Sequence, residues 1–446
     1  MVSIILVSHD RWEVTCACIK SIQENVKMPY EIILVDNASS KETVEALKKV
    51  SGIRLFCSDI NIGFPAGCNA GLRMARGDLV WFLNNDTLVP PNSLERMAEL
   101  LLSDPAIGMV GPVSNNVSGM QAIPVTYQCD EDINEFAAKI ANTYRGLTFH
   151  TLRLVGFSML TRKAILDQLG GFDERMGMGT FEDDDLSLRL VANGYRLLVA
   201  QDAFIHHIGS ASFSVAGGYP SLGDRNQCIV STTFGLTVPE ETMLNQTLYE
   251  QILPRATSLL HVECGAGCLG LKWRERGYRA AGLESCYPKA NLAQTQYDKF
   301  YRYTAGREFA LPEGFGIFEV LVMEQQIHHD ETLAVVRSVF PNLMKGAQVF
   351  VQVPKIVAEN QGVYEAYMDR WDQIIGHYPA RGQFSPKHFI AKMNGMGFGV
   401  IHTRLFDAMQ SAYAQYSFQR HLKTWKRTPG DLPFFQTWDV EFVYMP

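Results

Sequence analysis

Four acids stand in a row in "FEDDDLSLRL": Glu182, Asp183, Asp184 and Asp185. Carboxylates so placed can cap a helix N-terminus, hold a cation or take a proton from a substrate hydroxyl, and the stretch alone leaves all three open. Three other features carry comparable chemistry. Asp86 closes "DLVWFLNND" after an apolar strand pattern and offers a hard oxygen to Mg2+ or Mn2+; a strand-terminating Asx turn is the alternative. Asp36 closes "EIILVD", where a carboxylate can accept from a base N–H or a ribose hydroxyl, or simply start the turn in "DNASS". The run "NIGFPAGCNAG" puts Gly63, Gly67 and Gly71 around a turn entering a helix, either to let a ligand approach the backbone or as a plain Gly-rich loop. In the second half, "HVECGAGCLG" sets Gly265, Gly267 and Gly270 in a GxGxxG spacing after a strand pattern, with Glu284 closing the next strand. Such a turn cradles phosphate or ribose, and a dinucleotide is one reading of it.

The elements that must position these groups alternate. Apolar runs at Ser3–Ser8, Glu31–Asp36, "IRLFCS" and "DLVWFLNND" are each followed by a helical pattern, which implies a parallel sheet with helices on both faces. Sites on such sheets lie at the carboxyl ends of strands, and these ends read Ser8-His9-Asp10, Asp36-Asn37 and Asn84-Asn85-Asp86. A second alternating series starts at Ser258. At 446 residues the chain exceeds the size at which one core keeps growing, so two domains are expected. We expect a first domain over 1–237, a linker over 238–255, a second domain over 256–425 and an aromatic C-terminal tail over 426–446.

A hydrophobic share of 47% with 20% charged residues describes an ordinary globular chain. The formal charge of −7 argues against nucleic acid as a partner, since phosphate binding wants a basic face. The start "MVSIILVSHDRW" lacks a basic region before its short apolar run, and no run is long enough to cross a bilayer. Nine cysteines without CxxC pairing suit reduced thiols. The expectation is a cytoplasmic protein, free or peripheral to a membrane face. The tail "FFQTWDVEFVYMP" needs a covering surface, which makes self-association of the chain a candidate.

Over Val2–Phe213 the chain resembles the inverting glycosyltransferases of family 2, with the GT-A fold, and most of all the branch of rhamnosyltransferases and related surface-glycan enzymes. The resemblance rests on eight motifs in the family's order: "VSIILVSHD", "EIILVDNASS", "NIGFPAGCNAG", "FLNNDT", "IGMVGP", "GFSMLTRKAILDQLGGFDERM", "FEDDDLSLRL" and "HHIGSAS". It implies a nucleotide-diphospho-sugar donor of UDP or dTDP type, a hydroxyl acceptor on a surface glycan or a protein such as flagellin, and Mn2+ or Mg2+. Carried over by position, Ser8, His9 and Asp36 would hold base and ribose, with Asn61, Gly63, Asn69, Asn84 and Asn85 also on the donor side. Asp86 would be the metal ligand of the DxD-type motif, whose first position here is Asn84. One of His206 and His207 would complete the coordination, with His207 preferred; neighbouring strand residues point oppositely, so only one should reach the metal. Glu182-Asp183 matches the family's ED pair, with Asp183 the general base. Gly171, Phe172 and Asp173 of "GGFDERM" would lie near the sugar or acceptor. Asp184 and Asp185 are expected to serve the helix N-terminus, Arg189 to pair with Asp185, and Leu186, Leu190 and Val191 to be buried.

The second half, over Ser258–Phe406, resembles class I methyltransferases that use S-adenosylmethionine, a doubly wound Rossmann-like fold. The resemblance carries Glu263, Gly265, Gly267, Glu284 and Glu324 to a cofactor site. Two departures weaken methyl transfer. His261 stands where the family has an acid, and Glu263 where it has its first glycine, so that a carboxylate would oppose the cofactor's own. "EQQIHH" also lacks the family's second acid, while Glu324 and His328 remain. The expectation is a retained fold that no longer methylates; a bifunctional enzyme and a non-catalytic scaffold are the alternatives.

Overall fold

The computed structural model describes residues 1–129, 132–209, 219–236, 238, 240–252, 256–305, 307–323, 329–356, 398–407 and 435–444. The chain divides into two compact units, Met1–Leu244 and Asn245–Pro446. The division falls inside the stretch expected to be a linker.

The first unit is built on strands β1 (Val2–Ser8), β2 (Tyr30–Asn37), β3 (Ile53–Ser58), β4 (Leu79–Leu83), β5 (Thr87–Leu88), β6 (Ile107–Val113), β7 (Thr148–Thr151), β8 (Ser158–Arg162), β9 (Arg196–Phe204) and β10 (His206–His207). Eight of them form one sheet in the order β3-β2-β1-β4-β8-β6-β9-β7. The centre of the sheet is apolar on both faces, and every side chain of "LVWFL" in β4 is buried, as a strand covered by helices on either side requires. The covering helices include α1 (Trp12–Asn25), α2 (Lys41–Leu47), α3 (Phe64–Met74), α4 (Ser93–Ser103), α5 (Ile133–Thr143), α6 (Lys163–Leu169), α7 (Glu182–Ala192) and α8 (Tyr219–Phe234).

Two features of this sheet place the site. Strand order reverses between β1 and β4, the crevice where open α/β sheets bind ligands. Parallel register sets Ser8 beside Asp36, so the ends of β1 and β2 are level. The sheet is not purely parallel: β8 runs against both β4 and β6. Its first residue, Ser158, therefore lies beside Leu83 at the carboxyl end of β4. The antiparallel strand thus delivers the segment before it, Gly156-Phe157, to the site edge.

Of the two readings of the Gly-rich run, Gly71 bears on packing. A Cβ on Gly71 would lie 2.4 Å from Ile5 Cγ2, so this glycine lets the helix lie close on the sheet rather than opening room for a ligand.

The second unit carries β11 (Ser258–Val262), β12 (Arg279–Glu284), β13 (Lys299–Arg302), β14 (Phe318–Met323), β15 (Leu343–Ile356), β16 (Phe398–Asp407) and β17 (Phe435–Tyr444), in the order β13-β12-β11-β14-β15-β17-β16. It also carries α9 (Gln246–Ile252), α10 (Cys268–Glu275), α11 (Tyr287–Ala293) and α12 (His329–Val339). The five strands β11 to β15 are parallel. β17 runs antiparallel to both of its neighbours, β15 and β16. The stretch 426–446, expected as an aromatic tail, contributes β17 to this sheet through residues 435–444. Among the described residues no helix is long and apolar enough to cross a membrane.

Substituting Gly71→Ala should cost roughly 1–3 kcal/mol, the usual penalty for overpacking a filled core. A lowered melting temperature of the first unit checks this; an unchanged one would mean that Ile5 can step aside.

Candidate active site

Three strand ends and two loops converge at the carboxyl edge of the first sheet. The β1 end is tied to the β2 end through short polar bonds. The Ser39 hydroxyl accepts from Asp10 N–H at 2.7 Å, Asp10 Oδ1 accepts from Ser40 N–H at 2.9 Å, and His9 Nδ1 donates to the Asn37 carbonyl at 2.9 Å. Asp10 and Arg11 both hold left-handed backbone there, at φ 54° and 53°. Asp36 is buried, and its Oδ2 accepts from Ser39 N–H at 3.3 Å. Its Oδ1 is buried with no hydrogen-bond partner among the described residues. A carboxylate oxygen left so costs the fold its desolvation, which a donor N–H or hydroxyl from a ligand would repay.

The next strand end carries Asn84-Asn85-Asp86. Asp86 is buried, and His207, facing it from β10, brings Nε2 to 3.3 Å from Asp86 Oδ1. β10 pairs antiparallel with β5, His207 opposite Thr87, which sets this distance. The ring is bracketed from the far side. Its Nδ1–H donates to the Asn116 carbonyl at 2.7 Å, while the Asn115 side chain accepts from His207 N–H at 2.8 Å and donates to its carbonyl at 3.1 Å. With Nδ1 committed as a donor, the neutral ring turns the Nε2 lone pair toward Asp86. Two acceptors facing each other need a proton or a cation between them. Burial disfavours the imidazolium, yet the hydrogen bond and charge of Asp86 and the Asn116 carbonyl raise the His207 pKa above its ordinary value. The donor set therefore fits a divalent cation. Among the described residues no group of three or more His, Cys, Asp or Glu converges. A cation here would take its remaining oxygens from ligand and water, as Mg2+ and Mn2+ commonly do.

His206 turns the other way. Its Nδ1 lies 2.5 Å from the Tyr127 hydroxyl, and the Tyr127 ring packs in turn on Phe136 and Phe204. Of the two histidines expected near the metal, His207 alone faces Asp86.

The acids of α7 fill its first turn, and all four are buried. Asp183 Oδ2 accepts from Gly156 N–H at 2.8 Å, and Oδ1 from Asp184 N–H at 3.0 Å. Arginines take the next two carboxylates, for Asp185 the Arg189 that the helical spacing predicts. Asp184 pairs with Arg153 at 2.6 Å and Asp185 with Arg189 at 2.7 Å, rather than with helix N–H groups. Burial and then the charge of Asp183 push the Asp184 carboxyl upward, against the pull of Arg153. Glu182 is raised by burial and then by Asp183, and its Oε2 has no hydrogen-bond partner among the described residues. Leu186, Leu190 and Val191 are buried, as their spacing predicts.

Helix α7 begins under strain. Thr180 and Phe181 both have positive φ, 75° and 63°. The Asn226 amide of α8 holds this turn, donating to the carbonyls of Met176 and Gly179 at 2.8 Å and of Thr180 at 3.0 Å.

Gly156-Phe157 joins the two halves of the site. Gly156 holds Asp183, the Phe157 carbonyl accepts from Asn84 N–H at 2.8 Å, and the Phe157 ring stacks on His207 at 5.3 Å.

Several residues expected on the donor side hold the site's frame through bonds within the chain. Asn85 donates to Thr15 at 2.9 Å and approaches the hydroxyl of Ser8, itself buried against Thr15. Asn69 accepts from Phe172 N–H and donates to its carbonyl, both at 2.9 Å. A Cβ on Gly171 would meet the Asn69 amide oxygen at 2.4 Å, and Phe172 packs on Phe82 at 4.8 Å. Asp173 caps its own turn and pairs with Arg175 at 2.6 Å. Asn61 Oδ1 accepts from Asn37 and from Gly63 N–H. At Gly63, φ 84°, a Cβ would lie 2.0 Å from the Gly177 carbonyl, so backbone rather than a ligand occupies that approach. Asn84 remains at the site, its amide 3.4 Å from His207 Nε2.

Sequence reasoning missed Asn115-Asn116, Arg153, Gly156-Phe157 and Asn226. "GFSML" was legible as a motif, but nothing in it shows that its first N–H holds Asp183.

Residues 3–170 match the family model "Glycosyl transferase family 2". Residues 3–170 of the first unit are thus similar to the family 2 glycosyltransferases. The matched span includes Asp36 and Asp86 and ends before Glu182. The uncharacterized glycosyltransferase YwdF of Bacillus subtilis is 34% identical over 99 residues, 22% of this chain and 37% of that protein. The O-antigen biosynthesis protein RfbC of Myxococcus xanthus is 30% identical over 220 residues, 46% of this chain and 17% of that protein. The chain thus spans well under half the length of these relatives. Among solved structures, the S. aureus TarS 1-349 complex with UDP-GlcNAc aligns with TM-score 0.41 and 16% identity, covering 56% of this chain and 70% of that one. The mannosyltransferase PcManGT of Pyrobaculum calidifontis, in complex with GDP-Man and Mn2+, aligns with TM-score 0.36 and 20% identity, covering 46% of this chain and 56% of that one.

Because the Glu182 carboxyl is raised in the folded state, folding favours its protonated form. It therefore opposes folding progressively as pH climbs from the ordinary carboxylate range through the raised value. Glu182→Gln should leave stability unchanged at pH 4 and raise it by roughly 1–3 kcal/mol at pH 9, since a tenfold difference in proton affinity between folded and unfolded chains is worth about 1.4 kcal/mol. Melting temperatures of both proteins across pH check this; parallel curves would remove the assignment.

Proposed function

We propose that the first unit transfers a glycosyl group from a nucleotide-diphosphate sugar to an acceptor hydroxyl, with inversion at the anomeric carbon. The observation that carries this reading is the Gly156-Phe157 segment, which holds a buried carboxylate on one side and the Asp86–His207 pair on the other. Transfer with inversion needs these two functions together: a base for the acceptor proton and a counter-charge for the leaving diphosphate. Asp183 is the base, its carboxylate steadied by the Gly156 N–H. Asp86 and His207 would hold Mn2+ or Mg2+, which when bound supplies charge to the departing diphosphate.

Asp36 would hold the donor's base, through the oxygen that lacks a partner. A carboxylate accepts from a pyrimidine N–H, which favours UDP or dTDP donors. The raised pKa of Glu182 suits a neutral carboxyl beside the base, which adds no second negative charge to that turn. The acceptor is a surface glycan in this reading, the assignment that the name of the Myxococcus relative supports. The second unit is methyltransferase-like. Dinucleotide folds run 3-2-1-4-5-6; here an antiparallel strand stands between the fifth and the last, which favours the methyltransferase-like reading over a nicotinamide one.

Donor-dependent release of nucleoside diphosphate across a panel of UDP- and dTDP-sugars tests the proposal. Release should fall at least a hundredfold with EDTA, recover with Mn2+, and fall similarly in Asp86→Ala. Release by Asp86→Ala at the wild-type rate would sink the metal assignment.

A further inference from the structure

The glycine turn after β11 is where a methyltransferase-like fold takes its cofactor. Here the chain's own side chains fill it. Glu263 follows the last residue of β11 in left-handed backbone, φ 51°, a conformation that glycine adopts freely and glutamate does not. The strained residue is not turned to solvent: it is 8% exposed, and its carboxylate accepts a hydrogen bond from the Tyr303 hydroxyl across the turn. Tyr303, directly after β13, is itself buried. The side chain and its cover thus lie over the turn that a cofactor's methionine end would approach.

Glu284, the acid expected at the ribose hydroxyls, is fully buried and already committed. Its Oε2 accepts from Gly265 N–H at 2.8 Å and its Oε1 from Cys286 N–H at 2.9 Å. The Gly265 N–H, a donor the turn could offer to an incoming carboxylate, is spent on the same bond. Burial first, and then the neighbouring Glu263 charge and hydrogen bond, raise the Glu284 carboxyl. A carboxylate brought by a ligand would approach both acids.

The remaining glycines of the motif serve packing. A Cβ on Gly270 would lie 2.1 Å from the Tyr297 ring, whose hydroxyl bonds His261 Nδ1 at 2.8 Å. A Cβ on Gly267 would lie 2.8 Å from Gln296. The spacing that reads as a nucleotide cradle is thus kept by contacts within the fold. Glu324 and His328 lie outside the described residues.

We propose that the second unit does not take S-adenosylmethionine, because Glu263, covered by Tyr303 and backed by Glu284, stoppers the glycine turn. The inference rests on the methyltransferase-like reading of this sheet. It leaves the unit a structural or acceptor-positioning part of the chain, with no methyl transfer.

Calorimetric titration of the full chain with S-adenosylmethionine tests it, beside Glu263→Gly and Glu263→Ser. Wild type should give no binding heat at about 1 mM ligand, on the order of the weakest affinity such a titration resolves. Glu263→Gly, whose residue suits the left-handed backbone, should bind at least tenfold more tightly than wild type. Its melting temperature should be no lower. Glu263→Ser removes the stopper should the glycine variant fail to fold. Micromolar binding by wild type would overturn the stopper and leave the fold reading intact. Folded Glu263→Gly and Glu263→Ser chains that both stay silent would instead overturn the reading of this turn as a methyl-donor site.

Discussion

The hydrogen bond from Gly156 N–H to the Asp183 carboxylate holds the site's proposed base, and much of the first unit exists to make that bond possible. Its donor sits just before β8, the strand that runs against its neighbours and so returns to the edge where β1, β2 and β4 end. The next residue, Phe157, holds Asn84 through its carbonyl and His207 through its ring. The proposed base and the proposed cation site are thereby fixed by two consecutive residues of one loop. Backbone donors suit this task, since no rotamer freedom intervenes between the sheet and the charge that it positions.

Around that bond the charges are graded. Four carboxyls in one helical turn could not all stay ionised in a buried setting without partners. Two find arginines, Asp184 with Arg153 and Asp185 with Arg189. Glu182 is raised by burial and by Asp183, which lessens the repulsion that Asp183 meets. The turn before the helix carries strained backbone at Thr180 and Phe181, and Asn226 offsets this by binding three carbonyls with one amide. Strain gathered next to a proposed base is where a fold would store it to aim a side chain.

The alternation of apolar runs with helical patterns made both sheets legible, because a buried parallel strand admits few polar residues. The ends of β1, β2 and β4 followed from the same rule. The antiparallel β17 was not legible: an aromatic run at a chain end looks the same whether it covers a surface or inserts into a sheet. Within the site, residue type made Asp36 and Asp86 candidates beside plain turn readings, and the family resemblance, not residue type, singled out Asp183 among the four acids. The family resemblance turned attention to His207, but the choice over His206 came from pairing geometry, with Asn116 on one ring nitrogen and Asp86 facing the other. Asn69, Asn85 and Gly63 also serve packing, which amides and glycines do as readily as they meet ligands. Their partners, Phe172, Thr15 and Gly177, lie far off in sequence or carry no signal of their own.

The rate of glycosyl transfer by Asp183→Asn, measured with donor, Mn2+ and acceptor saturating, tests the central claim most directly. The amide keeps the shape and can still accept from Gly156 N–H, so the fold and donor binding should persist. The account predicts a loss of roughly 10²–10⁴-fold in kcat, the usual contribution of a positioned base, with the donor's KM unchanged. A variant that turns over within a fewfold of wild type would contradict it.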